Sequence, residues 1–247
     1  MTSREQENIP SAVVLVPGHW LGAWAWQEVA EELTAAGLRA IPVTPVGLAP
    51  DDPHRASRTL WDQVEAIESL VEAEAEAGDV VLVAHSGANA PVTAVIDRHP
   101  ELIRRVVWVD SGPVMAGSVY APDLPGSVTE VPLPAFDVLG AQASLEGLSA
   151  AHLDRFRERA VPEPAAVMRA AVELGNEARA HVPTMMVCCS ISARQVREMA
   201  QAGHPMFAEV AKLGDVEFID LPTGHWPMWS RPGELAGLIA RAALRRA

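Results

Sequence analysis

Positive charge is scarce in this chain of 247 residues: lysine and arginine number 19 against 32 aspartates and glutamates, and lysine occurs once, as Lys212. The formal net charge of −13 sets up a field that repels phosphate backbones and anionic headgroups and gives anionic small molecules no steering. Nucleic acid and membrane surfaces are set aside as partners on that ground. Cysteine is equally sparse. Cys188 and Cys189 are adjacent in an apolar run, where a strand sends them to opposite faces, and they read as buried structural thiols rather than a disulfide or metal site. The apolar run Ala12 to Val16 is too short to span a bilayer, and the opening Met1 to Pro10 is polar and charged. No signal peptide is expected, and the expected location is cytoplasmic. With no glycine-rich phosphate loop and no spaced His/Cys ligand set, no cofactor and no metal are expected.

What is present fits a globular chain. Hydrophobic residues make up 49% and charged residues 21%, the profile of a chain with a sizeable core. No composition shift divides residues 1–247, so one domain is expected. Six apolar runs recur between helical stretches: Ala12 to Val16, Leu38 to Val43, Val80 to Ala84, Val106 to Val109, Thr184 to Cys189 and Val216 to Leu221. Uniformly apolar runs suit strands covered on both faces, and their alternation with helices predicts an α/β fold of about six mostly parallel strands with helices on both faces. Leu60, Val64, Ile67 and Val71 keep helical spacing behind a capping pair, Thr59 and Asp62, and Leu235, Leu238, Ile239 and Ala242 mark the last helix. The Glu-Ala pairs at Glu72 to Glu76 read as a solvated helix end.

The rhythm breaks from Gly112 to Val182. That stretch shows no clear strand, is rich in proline at its start, and has helical patterns around Ala151 to Ala160 and Pro164 to Leu174. An excursion this long is expected to fold as a helical cap, 112–182, over the ligand-binding edge of the sheet.

The strongest local signal is Val80-Val81-Leu82-Val83-Ala84-His85-Ser86-Gly87-Ala88. A strand runs into a small-x-Ser-x-small turn and then a helix, the nucleophile-elbow pattern with alanine at both outer positions. A serine hydroxyl needs a base. Among eight histidines, His225 has the best position, in Leu221-Pro222-Thr223-Gly224-His225-Trp226-Pro227 between the last apolar run and the last helix. His54, His99, His152, His181 and His204 fall in surface loops or helix flanks, and the His85 side chain is expected to point away from Ser86.

Together with the elbow, the segments Leu15-Val16-Pro17-Gly18-His19-Trp20-Leu21-Gly22-Ala23-Trp24, Val109-Asp110-Ser111-Gly112-Pro113 and Gly224-His225-Trp226 resemble the α/β-hydrolase fold. The resemblance is to its branch of small plant-type methylesterases, hydroxynitrile lyases and bacterial esterase-like relatives. It implies an oxyanion hole built from the backbone N–H groups of His19 and Gly87; relatives usually carry His-Gly where this chain has Pro17-Gly18. They usually place an acid after the strand Met186 to Cys189, where this chain has none. The alternative position, at the end of the preceding strand, holds Asp110, which is read as the triad acid; a Ser-His dyad or Asp220 remains as an alternative, and Asp110 also suits a loop cap.

The resemblance implies a serine hydrolase that cleaves an ester, or a related acyl bond, of a small and mostly apolar molecule through a Ser86-His225-Asp110 acyl-enzyme mechanism. Trp20 and Trp226, with Met228 and Trp229 nearby, are expected to bind substrate. A lyase of hydroxynitrile lyase type is an alternative, weakened because such relatives add a lysine near the pocket, while Lys212 falls in a helix-like segment. A catalytically silent small-molecule-binding homologue is another. The oligomeric state is left open, a homodimer being one option.

Overall fold

A computed structural model describes residues 12–245; the polar opening Met1 to Pro10 lies outside them. Six strands form one parallel sheet: β1 (Ala12–Val16), β2 (Arg39–Pro42), β3 (Val80–His85), β4 (Ile103–Val109), β7 (Thr184–Cys188) and β8 (Val216–Asp220). Their order is β2-β1-β3-β4-β7-β8. The six predicted runs are these strands, with ends moved by a few residues.

Period-two geometry explains why the runs are apolar throughout. Val13, Leu15, Val81, Val83, Val107 and Val109 face one side. There they meet α1 (Gln27–Ala35), α8 (Pro227–Ser230) and α9 (Pro232–Leu244). Val14, Val16, Leu82, Ala84, Val106 and Trp108 face the other. They pack on α2 (Leu60–Ala75), α3 (Asn89–Arg98) and α7 (Ala193–Gln201). Each fully buried aliphatic side chain contributes roughly 1.5 to 3 kcal/mol. At the start of α2, Thr59 Oγ1 accepts from Asp62 N–H at 3.2 Å while Asp62 accepts from Thr59 N–H at 2.7 Å, the expected capping pair. The far end of α2 differs from expectation. Glu74 is turned inward and paired with Arg39 of edge strand β2, because an edge strand leaves room for a charged pair beneath it.

Between β4 and β7 the chain makes an insert of α4 (Phe136–Gln142), α5 (Ala150–Arg159), α6 (Ala165–Arg169) and two short strands, β5 (Glu130–Val131) and β6 (Glu163–Pro164), paired antiparallel. Two expectations for this segment need correction. It contains strands, although only of two residues each. The helix expected over Pro164 to Leu174 stops at Arg169, because Val172 turns extended to exchange backbone hydrogen bonds with Gly117 and Ser118 at 2.8 and 3.0 Å. No helix among the described residues is long and apolar enough to cross a membrane.

Candidate active site

β3 delivers Ser86 into a tight turn with φ of +52°. Three non-glycine residues among those described have positive φ: Trp20, Ser86 and Asp110. All three line one cavity of about 650 Å³. Backbone strain of this kind costs on the order of 1–3 kcal/mol per residue and persists only where the surroundings hold it. Here glycine relieves the crowding around it. A Cβ on Gly18 would lie 2.7 Å from the Ser86 Cβ, so only glycine lets the loop after β1 pass the serine.

His225 lies on the loop between β8 and α8. Its Nε2 is 2.7 Å from Ser86 Oγ and its Nδ1 is 2.6 Å from Asp110 Oδ2. The sequence-predicted serine, histidine and aspartate are thus joined in one hydrogen-bonded chain. Asp110 also accepts from Cys189 N–H at 3.0 Å, Ser190 N–H at 2.9 Å and Ser190 Oγ at 2.5 Å. Burial pushes the Asp110 carboxyl up, but hydrogen bonds from His225 and Ser190 and the charge of His225 outweigh it and hold the group below the usual carboxylate range. Ser190 was missed in the sequence; its only signal is a hydroxyl standing where relatives place the acid. Asp220 is engaged elsewhere, accepting from Ala193 N–H at the start of α7 at 2.6 Å.

His85 is bonded to the His225 loop and not to the Ser86 hydroxyl. Its Nε2 donates to the His225 carbonyl at 2.7 Å; a carbonyl only accepts, so the hydrogen is on Nε2 and the buried, unpartnered Nδ1 carries the lone pair. Burial pushes the ring's pKa down to about 3, keeping it neutral. The insert braces the same loop: His225 N–H donates to Ser144 O at 2.7 Å and Gly224 N–H to Glu146 O at 3.1 Å.

His19 and Gly87 both line the cavity beside Ser86. The His19 ring rests on Gly87, with Nδ1 3.1 Å from Glu163 Oε2. Glu163, buried in β6, and Tyr120, whose ring stands 4.4 Å from that of His19, gave no sequence signal, since both depend on how the insert folds back. Trp20 and Trp226 line the cavity but are more than nine-tenths buried. Trp20 Nε1 donates to Val131 O at 3.0 Å, and Trp226 packs on Phe156 and His225. Leu139, Val114, Met115 and Phe207 supply apolar wall. Lys212 is not on that wall; it pairs with Glu209 at 2.6 Å.

Cys188 and Cys189 are free and buried, and burial pushes the Cys188 thiol up to about 12, far from a reactive thiolate. Among the described residues one group, Glu68, Glu72 and His99, brings possible metal ligands together. It lies outside the cavity and already forms ion pairs, with Arg98 and His99 both on Glu68.

The family described as "Alpha/beta hydrolase family" matches residues 13–238. A carbendazim-hydrolysing esterase from Nocardioides sp. (strain SG-4G) is 27% identical over 245 residues, covering 92% of this chain and 97% of that protein. An extracellular alpha/beta-hydrolase from a Paenibacillus species superposes with a TM-score of 0.75 at 21% identity, over 96% of this chain and all of that one. A methylesterase from Arabidopsis superposes with a TM-score of 0.70 at 18% identity, over 94% and 98%.

Proposed function

The chain belongs to the alpha/beta hydrolase family, and from that premise we propose that it is a serine esterase acting on a small, mostly apolar carboxylic ester. The observation that carries this reading is the chain of 2.7 and 2.6 Å contacts from Ser86 through His225 to Asp110 on the wall of a largely apolar cavity. The Nε2 of His225 takes the Ser86 proton, and the alkoxide attacks the ester carbonyl. The amides of Gly87 and His19 hold the oxyanion, each typically worth about 3 to 4 kcal/mol in the transition state. Asp110 keeps the imidazole in the correct tautomer and stabilises its protonated form. His225 then returns the proton to the departing alcohol, and water, activated by the same ring, hydrolyses the acyl-enzyme.

The similar proteins favour this chemistry: one is named for hydrolysing carbendazim and another as a methylesterase. The lyase alternative calls for a lysine at the pocket, and Lys212 is tied to Glu209 away from the wall. The acid absent after β7 speaks for the catalytically silent alternative, and the 2.6 Å contact of Asp110, at the end of β4, with His225 Nδ1 speaks against it.

The test is covalent labelling. A fluorophosphonate is expected to modify Ser86, located by mass spectrometry of the digest, and Ser86→Ala is expected to abolish both labelling and ester turnover. An unmodified serine in folded protein, with Ser86→Ala as active as its parent, sinks the proposal.

A further inference from the structure

We infer that Glu163, carried by the insert, is a positioning residue for the oxyanion side of this site, and that it acts through the His19 ring and the Trp20 backbone. The inference rests on the esterase reading above.

Trp20 has φ of +65°, a left-handed conformation that a bulky residue adopts only when held there. The insert holds it at three points. Trp20 N–H donates to Glu163 Oε2 at 3.3 Å, its carbonyl accepts from Val161 N–H at 3.0 Å, and its indole N–H donates to Val131 O at 3.0 Å. Glu163 is almost wholly buried. Its other oxygen accepts from the Gln63 side chain at 3.2 Å, which itself is tied to Val46 O at 3.1 Å. The His19 Nδ1 stands 3.1 Å from the same Oε2 that Trp20 N–H reaches.

The other ring nitrogen, His19 Nε2, is buried and has no hydrogen-bond partner. The edge of the ring lies against Gly87, where an added Cβ would fall 2.3 Å from Cδ2 and 2.4 Å from Nε2. An apolar ring would fill this place without stranding a polar atom. The imidazole differs in one respect: it ties the packing to a carboxylate. One buried group therefore fixes the backbone at residues 19 and 20 and, through the ring, the seat of Gly87. On the esterase reading, His19 and Gly87 are the two residues whose amides meet the developing oxyanion, and donors of that kind work only when aimed at the oxygen's final position.

The test measures kcat and KM per active site, counted by fluorophosphonate labelling carried to completion, for Glu163→Gln, Glu163→Ala and Val161→Pro. The last deletes the N–H given to Trp20 and leaves the carboxylate alone, so the inference does not hang on one variant folding. Expected are losses in kcat of about tenfold for Glu163→Gln and about a hundredfold for Glu163→Ala, none larger than the 10²–10³ that removal of a whole oxyanion donor costs, with KM changed less than twofold. Affinity for an aryl trifluoromethyl ketone, whose serine adduct places an oxyanion in the hole, is expected to fall in parallel with kcat. Affinity for an unreactive amide of the same shape is expected to hold. Labelled variants with parental kcat and parental ketone affinity overturn the inference, as does a loss confined to KM. If the parent itself turns over no ester, the esterase reading falls and takes this inference with it; active parent and unimpaired variants bring down this inference alone.

Discussion

The sheet and the insert hold their residues in place by different means, and the candidate site is assembled from both. In the sheet, local pattern suffices: β1 and β3 are buried over their whole length and hydrogen-bonded in register to neighbours of the same kind. In the insert, short elements are fixed by contacts with distant residues, such as Val161 with Trp20 and Ser144 with His225. Ser86 and Asp110 stand on sheet ends, whereas His225 hangs from a loop that the insert secures. The sheet is therefore expected to govern folding and the seats of Ser86 and Asp110, and the insert the alignment of His225 with them.

The widest separation between those two roles is expected from Asp110→Asn. The variant keeps the shape of the side chain but supports the wrong imidazole tautomer, so kcat should fall on the order of ten-thousandfold. Steady-state kinetics per labelled serine measure it, and near-parental turnover would remove Asp110 from the mechanism. A purely structural counterpart is Leu82→Ala in the fully buried centre of β3. Denaturant unfolding should show a loss of about 2 to 5 kcal/mol, while kcat of the protein that remains folded is unchanged; a large drop in kcat would blur the division drawn here. Gly224→Ala tests the insert's side. A Cβ there would fall 2.4 Å from Glu146 O and 2.6 Å from Ser144 O, displacing the His225 loop. A shift near 1 Å is expected to lower kcat by about a hundredfold, and because the obstructing atoms are backbone the unfolding midpoint should fall as well.

The smallest effect is one of pH. His85 stays neutral in the folded protein down to about pH 3, whereas its ordinary value is 6.5. Between those values the unfolded chain binds the extra proton, so stability falls as pH is lowered from about 6.5 toward 3, by at most roughly 1.4 kcal/mol per pH unit. Urea melts from pH 7 to pH 4 should show this slope, and His85→Gln, which keeps a donor for the His225 carbonyl, should flatten it by about one proton. An unchanged slope would place the acid sensitivity elsewhere.

The same contrast explains what was legible in the sequence. All six sheet strands were readable because burial on both faces leaves an unbroken apolar run, and Thr59 with Asp62 was readable because a capping box spans only three residues. Ser86 and His225 announced themselves through the strand, turn and helix around them. Asp110 was ambiguous, since what marks it as more than a loop cap is contact with Cys189, Ser190 and His225, residues 79 to 115 positions away. The β5–β6 pair, the early end of α6 and the contact of Glu163 with His19 were not legible, because each is specified by a distant partner and by no local period. Glu74 misled for the same reason: its inward turn depends on Arg39 across an edge strand.

The two carbonyls at Ser144 and Glu146 that secure residues 224 and 225 carry a consequence for traffic. A hinged swing of the whole 112–182 segment would have to break both bonds or drag the His225 loop with it. Single side chains on the cavity wall carry no such tether, and Tyr120 and Met206 there are both more than half exposed, so adjustment to an arriving molecule is expected at those two before the backbone of the segment moves.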